Sequence, residues 1–286
     1  MLEFPEVTPV PLNTTPQLRI WWIGVGKASC IPFRAAGSHS RRARENVLHY
    51  AVSSYTPTIK ALSFARDRFL KVSQTAQTRR RLCLVKMPTT PGCAELQGIS
   101  EEAEAITTTI GNTFEISEWE CPSALTVKSR IHDSDVLHFG GHGDANSIDP
   151  FRSSIILQSG AGTADPLSLG EIWRMDLRRA QLVYLSACST AEMRNWDMVD
   201  EVIHLVSGFQ VAGFANVVGT LWKADNAYSV DLARAFNANW SEMDGDGDQE
   251  DVLSRKGVAA ALHSALVGTR RSTNPLGWAL YAHFGV

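Results

Sequence analysis

The sequence predicts an α/β protein with a mostly parallel central sheet flanked by helices. Three observations point there. Apolar β-type runs alternate with helical stretches along most of the chain. The run from Gln181 to Ala187 is apolar on both faces, as a strand covered by helices on both sides has to be. Two runs, ending in Gly140-Gly141-His142-Gly143 and in Ser186-Ala187-Cys188-Ser189-Thr190, stop at small residues beside one reactive side chain. Parallel sheets carry their reactive groups just past the carboxyl ends of their strands.

The elements follow in order. Residues 1–16 hold Pro5, Pro9, Pro11 and Pro16 and read as a linker or N-terminal extension, with one domain over 17–286. The proline-rich start suggests a longer parent chain. Leu18 to Val25, with Trp21 and Trp22, reads as a core strand, and a polar Arg/Ser loop runs from Ala35 to Arg44. Tyr55-Thr56-Pro57 opens a helix, with Thr56 able to cap it and Ile59, Leu62, Phe64 and Leu70 forming its apolar face. Arg81 to Lys86 is a strand. Pro91-Gly92 ends the segment after it.

Ser100 followed by Glu101, Glu102 and Glu104 reads as a capped helix start, because acids suit the positive end of the helix dipole. Strands are expected at Thr113 to Trp119, Asp135 to Gly140 and Ser153 to Gln158, with a short helix from Ser123 to Ile131 between the first two. After the Gln181 to Ala187 strand come a helix from Val199 to Val211 and a strand from Ala215 to Leu221. Helices over Tyr228 to Trp240 and Val252 to Leu266 flank an acidic loop at Asp244 to Asp248, and Trp278 to Phe284 is the final strand.

The bulk numbers exclude several function classes. The 286 residues are 44% hydrophobic and 20% charged, with a net charge of −3. That is ordinary for a globular protein and carries no broad basic footprint for nucleic acid. The dense basic spots, Arg41-Arg42-Ala43-Arg44 and Arg79-Arg80-Arg81, read as solvated faces or strand edges. No apolar run approaches the ~18 residues of a membrane span, and no secretory signal opens the chain. Cys30, Cys83, Cys93, Cys121 and Cys188 are scattered, odd in number and free of CxxC spacing. A reducing, cytoplasmic setting fits them better than a disulfide framework or a zinc ribbon.

Chemistry concentrates at the two strand ends. A thiol at a strand-to-loop boundary can be exposed, and the small neighbours of Cys188 leave room for a substrate backbone. The other four cysteines lack that setting and read as structural. His142, between Gly141 and Gly143, is the candidate general base, and the amides of Gly143 and Cys188 are candidate oxyanion donors. His138 lies inside the apolar run and reads as a buried, hydrogen-bonded residue supporting the site, with Ser186 beside the thiol.

A zinc reading through His138 and His142 is weaker, because HExxH is absent and the run reads as strand. The acidic loop is no EF-hand: Gln249 stands where glycine is needed, and Arg255 where the bidentate glutamate belongs. No GxSxG elbow, dinucleotide fingerprint or Walker A sequence is present.

His138-Phe139-Gly140-Gly141-His142-Gly143 together with Leu185-Ser186-Ala187-Cys188-Ser189-Thr190 resembles the CHAT domain, a caspase-like peptidase domain usually found behind tetratricopeptide repeats. The likeness extends to Tyr55-Thr56-Pro57, to Ala212-Gly213-Phe214 with Val217 to Trp222 and Asp225, and to Pro275 with Trp278-Ala279. One position departs: Ala191 stands where the family often has glycine.

The resemblance implies a three-layer caspase–hemoglobinase-like fold, shared with caspases, metacaspases and separase. It implies Cys188 as nucleophile, His142 as general base and acid, and an oxyanion hole from the Gly143 and Cys188 amides. No third side chain to orient His142 is evident in the sequence. The substrate implied is a protein or peptide, with no cofactor and no metal. An upstream tetratricopeptide-repeat region or an activator protein is the expected partner. If specificity is for Arg or Lys, Asp144, Asp200 and Glu201 are candidates for the acidic pocket. The rival reading is a catalytically silent caspase-like scaffold or signalling module.

Overall fold

The computed structural model describes residues 18–39, 45–73, 80–144, 146, 149–188, 205–222, 226–242, 257–269 and 275–286. Its strands are β1 (Leu18–Trp22), β2 (Ala51–Tyr55), β3 (Arg80–Lys86), β4 (Phe114–Glu120), β5 (Val136–Asp144), β6 (Ser154–Gln158), β7 (Ala164–Ser168), β8 (Leu182–Cys188), β9 (Asn216–Thr220) and β10 (Tyr281–Gly285). Its helices are α1 (Val47–Tyr50), α2 (Ile59–Ser73), α3 (Ile99–Ile110), α4 (Ala124–Ile131), α5 (Leu169–Trp173), α6 (Leu205–Ala212), α7 (Asn226–Glu242) and α8 (Gly257–Thr269).

The sheet runs β1-β2-β10-β9-β8-β5-β3-β4. Neighbours β9, β8, β5, β3 and β4 are parallel throughout. Strand β10 runs against β9 but with β2, so β1, β2 and β10 form a second block of opposite direction. The hairpin β6–β7 extends the sheet at the end of β5, with β6 antiparallel to His142–Asp144. The α/β architecture with helix-covered faces is thus the one the alternation of elements predicts.

Strand side chains alternate between faces, and each face feeds its own core. Val136, Leu182, Tyr184, Leu84 and Phe114 pack with residues of α2, α3, α7 and α8. Leu137, Phe139, Val183, Leu185 and Val85 pack with residues of α4, α5 and α6. The result is three layers, helix–sheet–helix.

Several local expectations shift. Helix α2 begins at Ile59, and the Thr58 hydroxyl accepts from the Ala61 amide, so Thr58 caps it rather than Thr56. Its buried side is Ala65 and Phe69, with Leu62 of the expected face partly buried against the same core, while Ile59, Phe64 and Leu70 are exposed. Strand β1 lies at the sheet edge and ends at Trp22, not in the core. The N-cap of α3 is Gly98, with no side-chain cap, so Ser100 lies inside the helix. Strand β10 starts at Tyr281, three residues later than the apolar pattern places it. The acidic loop, Ala191, Asp225, the basic run at 41–44 and the expected helix start at Val199 lie outside the described residues.

Strand β2, the strand β7 and the helix α5 have no counterpart in the sequence reading. In β2, Ser54 carries a hydroxyl at a fully buried position, which masks the strand in the pattern. The polar group is satisfied by a buried chain: Ser54 Oγ–H donates to His283 Nδ1, and His283 Nε2–H donates 2.9 Å to Asn216 Oδ1. Burial, then the charges of Arg19 and Arg34, hold the His283 pKa well below its ordinary 6.5.

Unfolded His283 takes up a proton below about pH 6.5, whereas folded His283 stays neutral, so protonation favours the unfolded state. We expect unfolding free energy to fall as pH drops from about 7 to about 5, and His283→Gln to flatten part of that slope. Urea unfolding across that range checks it. An identical slope in both proteins would show that His283 is not the group responsible.

Candidate active site

The site is built on the carboxyl ends of β5 and β8. These strands are parallel neighbours in register from Val136↔Leu182 through to His142↔Cys188. Residues paired across a parallel ladder share a face of the sheet, so positions 142 and 188 lie side by side at the last rung. The chain between the two strands, including the β6–β7 hairpin, crosses back to the opposite end of the sheet, where β8 begins with Leu182 beside Val136.

His142 is partly exposed, and its ring is held from one side. Nε2–H donates to the Ala94 carbonyl at 2.8 Å. A carbonyl only accepts, so the neutral ring carries its proton on Nε2 and presents Nδ1 as the basic nitrogen. Ala94 belongs to the loop between β3 and α3. That loop is tied down by Met87 N–H to the Gly140 carbonyl (2.8 Å), Cys93 N–H to Thr90 (3.0 Å) and Leu96 N–H to Pro88 (2.9 Å). The orienting group is therefore main chain, and no side-chain pattern in the sequence announces it.

Gly140 permits this arrangement by close approach. A Cβ there would lie 2.9 Å from Ile99 Cδ1 in the first turn of α3. The Gly140 carbonyl faces β3, where it accepts from Met87. Peptide edges alternate along a strand, which turns the Gly143 N–H toward β8.

Beneath the strand ends lies a buried polar cluster. His138 (4% exposed) faces Glu102 (1%), with Nε2 at 2.5 Å from Oε1, and Ser186 (7%) donates 2.8 Å to Oε2 of the same carboxylate. The His138 ring also stacks on Tyr184, centroids 4.8 Å apart. Glu102 is the residue that the sequence reading places with the helix-dipole acids instead. Its signal was available: Ile99, Glu102, Ala103, Ile106 and Ile110 form the buried stripe of α3, and an acid in such a stripe needs a buried partner.

The other predicted positions are scattered. Asp144 is exposed at the tip of β5, paired with Ser154 of β6. Asp200 and Glu201 lie outside the described residues, as does any side-chain geometry of Cys188. Cys83 is buried in mid-strand with its thiol pKa pushed up to about 12 by burial, which leaves it unreactive. Cys93 is exposed and Cys121 partly so. The Ser54–His283–Asn216 chain has the residue types of a nucleophile relay, but Ser54, His283 and Asn216 are fully buried, so no substrate reaches it. Among the described residues no group of three or more His, Cys, Asp or Glu is placed to hold a metal. No helix among them is long and apolar enough to cross a membrane.

A family model for the CHAT domain matches residues 3–286. The chain belongs to the CHAT-domain family. Solved structures with the same fold are cysteine peptidases of very different sequence. The Arg-specific cysteine proteinase gingipain R aligns over 94% of this CHAT domain and 62% of its own chain, with a TM-score of 0.60 and 10% identity. Its complex of pro- and mature domains, from Porphyromonas gingivalis, aligns with a TM-score of 0.59. The Saccharomyces cerevisiae separase–securin complex aligns over 93% of this domain and 15% of that chain, with a TM-score of 0.62 and 13% identity. The CHAT domain thus spans about three fifths of the gingipain chain and a small part of separase. No curated protein matches it. The likeness carries the caspase–hemoglobinase-like fold.

Proposed function

We propose that this CHAT domain is a cysteine endopeptidase of caspase-like type, acting through a Cys188–His142 dyad. The observation that carries the reading is the register pair His142↔Cys188 on adjacent parallel strands. Nδ1 of His142, freed by the Nε2–Ala94 bond, takes the Cys188 proton. The thiolate attacks the peptide carbonyl, and His142 then protonates the leaving amine. Water hydrolyses the acyl-enzyme with His142 as base.

The developing oxyanion would be met by the amides of Gly143 and Cys188. Gly143 N–H sits at the last rung of the β5–β8 ladder, so binding the oxyanion requires that rung to open. Substrate, or an activator protein or upstream tetratricopeptide-repeat region, would supply the energy for that step. The substrate is a protein or peptide. Gingipain R, of the same fold, is Arg-specific; cleavage after Arg or Lys here would draw on Asp144, Asp200 and Glu201. The free thiols of Cys83, Cys93 and Cys121 support a reducing, cytoplasmic setting.

A peptide library and a cysteine-directed peptidyl electrophile test the reading. Wild-type protein should cleave the library and be labelled selectively at Cys188, and Cys188→Ala should lose both. Cleavage by Cys188→Ala at the wild-type rate would sink the peptidase. Equal labelling of all five cysteines without cleavage would favour the silent scaffold.

A further inference from the structure

We propose that Glu102 is a positioning residue whose carboxylate braces β5, β8 and the loop that holds His142 into one reactive arrangement. The inference rests on the peptidase reading above and concerns a residue outside the dyad.

Carboxylates are seldom fully buried unless paired. Glu102 uses one oxygen on each of the two reactive strands: Oε1 meets His138 of β5 and Oε2 accepts from Ser186 of β8. His138 lies four residues before His142, and Ser186 two before Cys188, all four at same-face positions of the sheet. One side chain therefore cross-links the strands directly beneath the pair. Glu102 also sits in the first turn of α3. That turn rests on β5 through Ile99 against Gly140. It continues backward into the loop whose Ala94 carbonyl fixes the His142 ring, through Ile99 N–H to Leu96 (3.2 Å) and Leu96 N–H to Pro88.

Truncating Glu102 leaves two buried polar groups without a partner and unpins the first turn of α3. The Ala94 carbonyl then loses its fixed place over His142. Misplacement by about 1 Å is enough to cost about a hundredfold in rate. Glutamine preserves the brace in uncharged form: its Oε1 accepts from Ser186, and its Nε2–H donates to His138 when that ring carries its own proton on Nδ1.

The test is the pH profile of iodoacetamide alkylation at Cys188, read by peptide mass spectrometry on the full chain, with near-ultraviolet circular dichroism to confirm folding. Wild type should show a neutral-pH limb that His142→Ala lacks. Folded Glu102→Ala should take the His142→Ala profile, slower than wild type by about ten- to a hundredfold near neutral pH. Glu102→Gln should stay within about threefold of wild type.

Should Glu102→Ala not fold, Ser186→Ala, which removes one arm of the brace, replaces it and should fall between the two profiles. A wild-type profile in folded Glu102→Ala, or in Ser186→Ala standing in for it, overturns the inference. So does a Glu102→Gln rate as low as that of Glu102→Ala. A wild-type profile that already coincides with His142→Ala overturns the dyad itself, and this inference falls with it.

Discussion

Replacing His142 by alanine is expected to lower peptide cleavage by about 10²–10⁴-fold, with KM within about threefold of wild type. The imidazole is asked to do two things, to take the thiol proton and to protonate the leaving amine. Both are worth most in the transition state, so the loss falls on kcat. The substitution should leave the fold intact. The ring is partly exposed, and its one described bond is to the Ala94 carbonyl, at the loop surface. Steady-state kinetics on a peptide cleaved by the wild type, with a thermal melt of each protein, checks both halves. An unchanged kcat would remove His142 from the mechanism, whatever its register with Cys188.

Gly285→Ala is expected to destabilise the protein by about 3 kcal/mol or more. Gly285 has φ of +125°, a conformation that side chains rarely adopt, and a Cβ there would lie 2.1 Å from the Ala215 carbonyl oxygen. The obstacle is backbone, so no rotamer change relieves it. It belongs to the chain entering β9, whose Asn216 is the register partner of Gly285. Moving either strand also disturbs the Gly285 carbonyl, which accepts from the Trp21 indole at 2.9 Å and ties β1 to the sheet. Urea unfolding measures the effect, and a midpoint equal to wild type would show that the strand pair accommodates the methyl group. His142→Ala should silence a folded protein, whereas Gly285→Ala should weaken the fold at the far end of the sheet from the dyad.

Much of the architecture was legible because the elements near the site obey simple patterns. Strands β3, β5, β8 and β9 contain apolar runs, and those of β5 and β8 stop at small residues beside the reactive side chains. What escaped did so for physical reasons. Strand β2 hides two serines in the core, one of them satisfied by His283 from a strand more than two hundred residues away. Strand β7 holds Pro166, tolerated because β7 lies at an edge, where no further strand among the described residues pairs with it. Helix α5 spans only Leu169–Trp173, yet Ser168 and Glu171 form a full capping box that the sequence displays as S-x-x-E. For α2 only Leu62 of the expected apolar face packs on the core, beside Ala65 and Phe69, whereas Ile59, Phe64 and Leu70 are exposed. At the site, the reactive residue types were legible and their partners were not. Glu102 reaches across tertiary space to two strands, and Ala94 contributes only its main chain.

That last point bears on how the site would respond to genetic dissection. A carbonyl oxygen is the same in every residue type, so a substitution scan would pass over position 94 as neutral however much the imidazole depends on it. The dependence would surface instead in deletions or insertions between Pro88 and Gly98, which change the path of the chain without removing any reactive group. A position tolerant of every replacement, in a loop intolerant of a change in length, would be the signature of this hidden support.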